Sequence, residues 1–169
     1  MTAERPTDDA FTELVRRYDD RLRALAFSLL RDRNRMDDVL QDAYVKAFRA
    51  MPTFTGKAGA DIGTWLYRIV YNSCLDDLRR DRRHPTAELP EDGVFPTTED
   101  TTQRVSDRTS LAAAFDELAE DQKTVAWLVD VEGFDYVAAG EVLGVAPGTI
   151  GSRLSRAHKQ LRSSLGGER

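Results

Sequence analysis

Residues 84–109, HPTAELPEDGVFPTTEDTTQRVSDRT, hold three prolines, six threonines and six carboxylates against two arginines, with little apolar periodicity. Proline fixes φ and removes a backbone donor, and so few apolar side chains cannot offset the entropy lost on ordering. The stretch reads as an extended acidic linker. A chain of 169 residues is then divided into two small domains, 1–83 and 110–169, each with its own core.

Both flanks carry helical spacing. Phe11 to Leu30 repeats apolar residues at Phe11, Leu14, Val15, Tyr18, Leu22, Leu25, Ala26 and Leu29. Met36 to Met51 does so at Met36, Leu40, Ala43, Ala47 and Met51, and Thr64 to Arg80 at Leu66, Ile69, Val70, Ser73 and Leu78. Downstream, Ser110 to Leu118 and Asp121 to Val131 read as two further short helices. No two-residue alternation appears, so the spacing predicts an all-α protein of two small helical bundles.

The end of the chain is the most specific part. YVAAGEVLGVAPGT places a short apolar helix, then Gly144 where it can end, then Pro147 at the first turn of the next. That next segment, GTIGSRLSRAHKQLR, holds four cations and no acid, and nothing acidic occurs from Val142 to Gly167. Ile150, Leu154, Ala157, Leu161 and Leu165 line one side, with Thr149, Ser152, Arg153, Arg156 and Lys159 opposite. Alone, a basic outer face is as readily a solvated surface; behind a short helix and a glycine turn it is the pattern of a helix-turn-helix that enters the DNA major groove. The formal net charge of −5 is no obstacle, because residues 84–109 carry 6 acidic against 2 basic side chains while residues 1–83 carry 16 basic against 14 acidic.

Upstream, TFTGKAGADIGTWLYRIVYNSCLDDLRRDRR joins a glycine-containing loop (Gly56, Gly59, Gly63) to a helix with Trp65 near its start and arginines at its end. Aromatic faces beside a basic helix are what single-stranded DNA binding requires, although Trp65, Tyr67 and Tyr71 serve equally as bundle core. Several classes are excluded. No apolar run reaches the 18 residues of a membrane span and no apolar signal core opens the chain, which predicts a cytoplasmic protein without membrane insertion. One cysteine, Cys74, and two scattered histidines, His84 and His158, offer no disulfide, metal site or cofactor site. No nucleophile–base pair or phosphate loop suggests an enzyme.

MDDVLQDAYVKAF, WLYRIVYNSCLDDLRR and GVAPGTIGSRLSRAHKQLR, in this order across the proline-containing linker, resemble the extracytoplasmic-function (group 4) sigma factors of bacterial RNA polymerase over Phe11 to Leu165. The Asn-X-Cys-Leu-Asp helix followed by His84-Pro85-Thr86 is most similar to the actinobacterial sigma M-like group. The resemblance implies an alternative sigma factor that binds core polymerase through its beta and beta-prime subunits and directs promoter-specific initiation. It implies a region 2 domain over 1–83, with Asp37, Asp38, Leu40, Gln41, Asp42 and Tyr44 docking on a coiled coil of the largest subunit. Phe54, Thr55, Gly56, Lys57, Trp65, Asn72 and Asp76 would then capture a flipped base of the melted non-template minus-ten strand. Arg79 and Arg80, with Arg82 and Arg83, would hold adjoining phosphates. A region 4 domain over 110–169 would read double-stranded minus-thirty-five DNA through Thr149, Ser152, Arg153, Ser155, Arg156 and Lys159. The linker would thread toward the active-site cleft, and an anti-sigma factor is a further partner.

Two glycines depart from the family pattern. Gly151 stands where many relatives carry Lys or Arg, and Val137-Ala138-Ala139-Gly140 replaces a more polar run. Each glycine is expected to cost about 1 kcal/mol against alanine inside a helix and so to weaken minus-thirty-five binding. Two rival readings remain. A sigma mimic that sequesters an anti-sigma factor needs neither the four cations of the last helix nor Asn72. A stand-alone helix-turn-helix regulator leaves the Asp37 to Phe48 and Trp65 to Arg83 motifs unexplained.

Overall fold

The computed structural model describes residues 6–56, 61–83 and 110–166, which fall in two compact units considered separately below. The linker 84–109 and Lys57 lie outside the described residues. No strand occurs among those described.

The first unit packs three helices against one another: α1 (Pro6–Leu30), α2 (Arg33–Ala50) and α3 (Ile62–Arg83). Each is longer than its apolar repeat, because capping and charge at the ends extend what periodicity marks. Asp8 and Asp9 occupy the first turn of α1, where the helix dipole favours them. Asp32 caps α2 by accepting the Arg35 N–H at 3.0 Å. Arg31 makes the corner between α1 and α2 at φ 55°, a left-handed conformation that costs a non-glycine residue about 1 kcal/mol or more. Pro52, in the 3-10 turn Met51–Thr53, stops α2 from continuing.

The apolar faces meet as their spacing requires. Leu22, Leu25 and Ala26 of α1, Leu40, Ala43 and Ala47 of α2, and Leu66, Tyr67 and Val70 of α3 are wholly or almost wholly buried. Tyr67 is therefore core, whereas Trp65 and Tyr71 are half-buried. A polar strap closes the bundle: the Arg35 guanidinium of α2 donates to Asp77 at 2.6 and 3.0 Å and to Asp81 at 3.2 Å, both on α3.

In the second unit, α4 covers residues 110–116 and α5 (Glu120–Ala126) runs into a π-helical turn at Trp127–Val131. The apolar repeat alone reads one continuous helix here; the turn widens because the Glu132 N–H bonds back five residues to the Trp127 carbonyl at 3.0 Å. Lys123 is buried, its Nζ donating to the Asp116 carbonyl at 3.1 Å and so satisfying the end of α4. The chain then forms α6 (Tyr136–Leu143), capped by Asp135, whose carboxylate accepts the Ala138 N–H at 2.8 Å. Gly144 ends α6 at φ 68°, and α7 (Pro147–Gly166) begins three residues later. Ile150, Leu154 and Ala157 bury one side of α7 against α5 and α6. Leu165, expected on that stripe, is 45% exposed and lines an open hollow with Leu111 and Ala114 of α4.

Candidate functional site

Three surfaces carry the chemistry. On α2, the side chains of Asp37, Asp38, Gln41 and Asp42 are exposed. Leu40 corrects the expectation: at 1% exposure it is core and only floors the groove beside that face, because it lies on the side of α2 turned to α1 and α3. Tyr44 is half-buried and donates its hydroxyl to Asp19 at 2.7 Å; burial and that hydrogen bond push the phenol well above its ordinary value. Arg23 joins the two helices, bonding Asp19 at 2.8 Å and Asp37 at 2.6 Å, and these carboxylates push its own value up. Asp37 is thus already paired, which leaves Asp38 and Asp42 as the outward acids.

Beside them lies a groove of about 590 Å³ whose apolar walls include Phe11, Val45 and Phe48. Phe11 and Phe48 meet edge to face at 5.3 Å, and Val45 and Phe48 are 43% and 41% exposed. Sequence reasoning missed this wall. Its signal was two large apolar residues of α2, Val45 and Phe48, that fall off the repeat Leu40, Ala43, Ala47.

The second surface is the outer stripe of α3. Trp65, Arg68, Asn72, Asp76, Arg79 and Arg83 recur at three- and four-residue spacing and share a face. All are exposed except Trp65, which is half-buried and packs on Phe54 with ring centroids 5.2 Å apart. The stripe thus runs from an aromatic pair, through an exposed amide, to a cationic end. Asp76 pairs with Arg79 at 3.5 Å, an exposed contact that water and salt screen. Arg80 is exposed beside the stripe, and Thr55 and Gly56, the latter at φ 58°, are exposed in the loop before α3.

The third surface is the outer side of α7. Ser152, Ser155, Arg156 and Lys159 are exposed, and Thr149 is half-buried, its carbonyl accepting the Ser152 hydroxyl at 3.1 Å. Arg153 differs from the outward cation expected: it lies on the flank facing α5, with its guanidinium 3.2 Å from Asp121 and its side chain only 27% exposed. Neither glycine is a gap in the helices. A methyl group at Gly151 would stand 3.2 Å from Cε2 of Tyr136, so that ring covers the position, and one at Gly140 would stand 2.6 Å from the Val145 carbonyl oxygen. At Gly140 the approach is to backbone, which gives that glycine a packing reason that propensity alone does not. Tyr136, missed from sequence, is 44% exposed beside the outer face of α7.

Cys74 is buried between the helices of the first unit. Burial, with the nearby Asp77 carboxylate adding to it, pushes its thiol up to about 12. The neutral thiol is favoured in the folded state, so this contribution to stability is intact below pH 9 and declines as pH rises above the ordinary value of 9.0, where the unfolded chain ionises first. Alkylation at pH 8 is expected to proceed only after denaturation. Mass spectrometry of native and denaturant-treated protein checks this, and full labelling of the native form would contradict the burial. Among the described residues no group of three His, Cys, Asp or Glu side chains could hold a metal ion, and no helix is long and apolar enough to cross a membrane.

Comparison with known proteins places these surfaces in context. Residues 14–84 match the family described as Sigma-70 region 2, and residues 108–161 match Sigma-70, region 4. The chain is 38% identical to the ECF RNA polymerase sigma factor SigM of Mycobacterium tuberculosis, across 93% of its own length and 78% of that protein. It is 33% identical to the ECF sigma factor SigE of Mycolicibacterium smegmatis, across 97% of its length and 65% of the relative's. Among solved structures, the sigma factor RpoE of Bartonella quintana, in complex with the anti-sigma factor NepR, aligns with a TM-score of 0.77 and 27% identity, covering 95% of this chain and 99% of that one.

Proposed function

This chain belongs to the extracytoplasmic-function sigma factors, and from that premise we propose that residues 1–83 dock on core RNA polymerase and read the melted minus-ten strand, while residues 110–169 read the minus-thirty-five duplex. The observation that carries this reading is the outer stripe of α3, where an exposed asparagine lies between an aromatic pair and a row of arginines. An amide offers a donor and an acceptor, as the Watson–Crick edge of an extruded base demands; rings stack on bases, and guanidinium groups hold phosphates without regard to sequence. The protein supplies binding only, works in the cytoplasm where polymerase and promoter are, and leaves the phosphoryl chemistry to the enzyme it directs.

Docking falls to Asp38, Gln41, Asp42 and the apolar wall beside them, a surface suited to a basic, partly apolar helix. An anti-sigma factor covering the same wall would block docking. Asp38→Arg combined with Gln41→Ala is expected to lower core association at least tenfold before any promoter is present, because it reverses one charge and removes an amide at a single face. Co-purification with core enzyme measures this, and wild-type recovery would remove the face from the interface. The whole reading is tested by run-off transcription with core polymerase on genomic fragments, followed by start-site mapping. Upstream elements shared at two fixed spacings are expected. Transcription no different from that of core enzyme alone would refute it, and tight specific binding by the free protein would favour a stand-alone regulator.

A further inference from the structure

We propose that Asp121, in the first turn of α5, is a specificity-determining residue for the minus-thirty-five duplex: it pairs with Arg153 of α7 and so keeps a sequence-blind cation off the helix that reads the bases. The inference rests on the reading of α7 as the minus-thirty-five surface. The Arg153 Nε lies 3.2 Å from the Asp121 carboxylate, and the two side chains are 27% and 46% exposed. Arg153 directly follows Ser152, which is exposed on the outer face of α7. A phosphate that reached this guanidinium would therefore stand beside the carboxylate as well. Glu120, the neighbouring acid, lies instead 3.8 Å from the Lys123 ammonium.

Pairing on both flanks confines the free charge of α7 to one face. With Ile150, Leu154 and Ala157 buried, Arg153 and His158 fall on opposite sides of that core stripe, about 140° apart around the helix. His158 Nε2 lies 2.7 Å from Asp130 in the π-helical turn, so each flank ends on a carboxylate. Between the flanks Ser152, Ser155, Arg156 and Lys159 are exposed, and among the described residues Arg156 and Lys159 make no ion pair.

Specificity is the difference in affinity between the right duplex and a wrong one. On the right duplex base edges hold the helix in one register, whereas on other DNA it settles wherever its cations best meet phosphates. A further cation beside the reading face therefore favours the wrong duplex more. A partly exposed ion pair is weak, and DNA can open it. Opening does not free the cation, because the carboxylate stays beside it and repels the strand. Asp121 thus offsets the charge of Arg153 whether the pair is closed or open.

The test is binding of holoenzyme, formed with core polymerase, to a fluorescent duplex spanning an upstream element mapped by run-off transcription, and to a scrambled duplex. Asp121→Asn keeps the size and removes the charge. It is expected to strengthen the scrambled duplex about tenfold and the mapped one about threefold, with the log–log salt dependence on scrambled DNA steeper by about 0.9 for one added phosphate contact. Arg153→Ala in the Asp121→Asn background should abolish the gain, which a purely structural role for the pair would not produce. Arg153→Ala alone should leave the wild-type slope, since its charge is already offset. An unchanged slope in Asp121→Asn overturns the inference. So does an equal gain on both duplexes, which would make Asp121 a general brake, and so does weaker binding to the mapped duplex, which would make the pair an orienting contact. If circular dichroism shows Asp121→Asn unfolded, Arg153→Ala decides alone: a slope shallower by about 0.9 would put Arg153 on phosphate already. Arg156→Ala separates this inference from the reading it rests on. If Arg156→Ala weakens binding while Asp121→Asn changes nothing, only the role of Asp121 falls; if Arg156→Ala leaves binding to the mapped duplex unchanged, the reading of α7 falls.

Discussion

Gly140→Ala is expected to destabilise the second unit by about 1–3 kcal/mol and to impair minus-thirty-five-dependent transcription. Helix propensity alone points the other way, since alanine is favoured over glycine by about 1 kcal/mol inside a helix. The added methyl carbon would stand 2.6 Å from the Val145 carbonyl oxygen, a backbone atom at the turn into α7. Val145 also donates its N–H to the Gly140 carbonyl at 3.0 Å, so the turn cannot retreat without losing a hydrogen bond. Overpacking of this kind costs about 1–3 kcal/mol or more, a large share of what so small a bundle holds in reserve. Thermal unfolding followed by circular dichroism, compared with Gly144→Ala and wild type, measures the effect. A variant as stable as wild type would overturn the close approach of α6 to the turn before α7. Initiation from a pre-melted template lacking an upstream element should survive, because α3 belongs to the other unit.

Asn72→Ala is expected to reduce minus-ten discrimination by about one to two orders of magnitude while core association stays at the wild-type level. The side chain is exposed on α3, so its removal is expected to leave the fold intact. What is lost is the pairing of an extruded base, and a base that leaves the stack unpaired forfeits a few kcal/mol. Binding of holoenzyme to oligonucleotides substituted at each minus-ten position reads this out. Selectivity that persists at every position would remove Asn72 from the site, and reduced core association would assign it to the docking surface instead.

Much of this was legible in the order of the residues. Apolar spacing located α1, α2 and α3, and Gly144 with Pro147 marked the corner of the helix-turn-helix, because caps and turns are local chemistry. What resisted reading was set by packing between helices. Periodicity could not tell that Leu40 faces the core while Val45 and Phe48 look outward, since all three are large apolar residues of one helix. Arg153 read as an outward cation because its partner, Asp121, is distant in sequence. The two glycines of the helix-turn-helix counted as weaknesses by propensity, and only the positions of Tyr136 and the Val145 carbonyl give them a reason.

The strap from Arg35 also bears on how a net-acidic protein meets DNA. Asp77 and Asp81 lie among Arg79, Arg80, Arg82 and Arg83 in the sequence, and a running tally of charge there nearly cancels. In space they are turned onto Arg35, while the four arginines are exposed. The helix is polarised across its width, so an approaching strand meets a field that the tally conceals. Such a field raises encounter rates rather than choosing a sequence. Arg35→Ala would leave both carboxylates uncompensated beside the arginines and is expected to slow the encounter with the strand proposed to bind there.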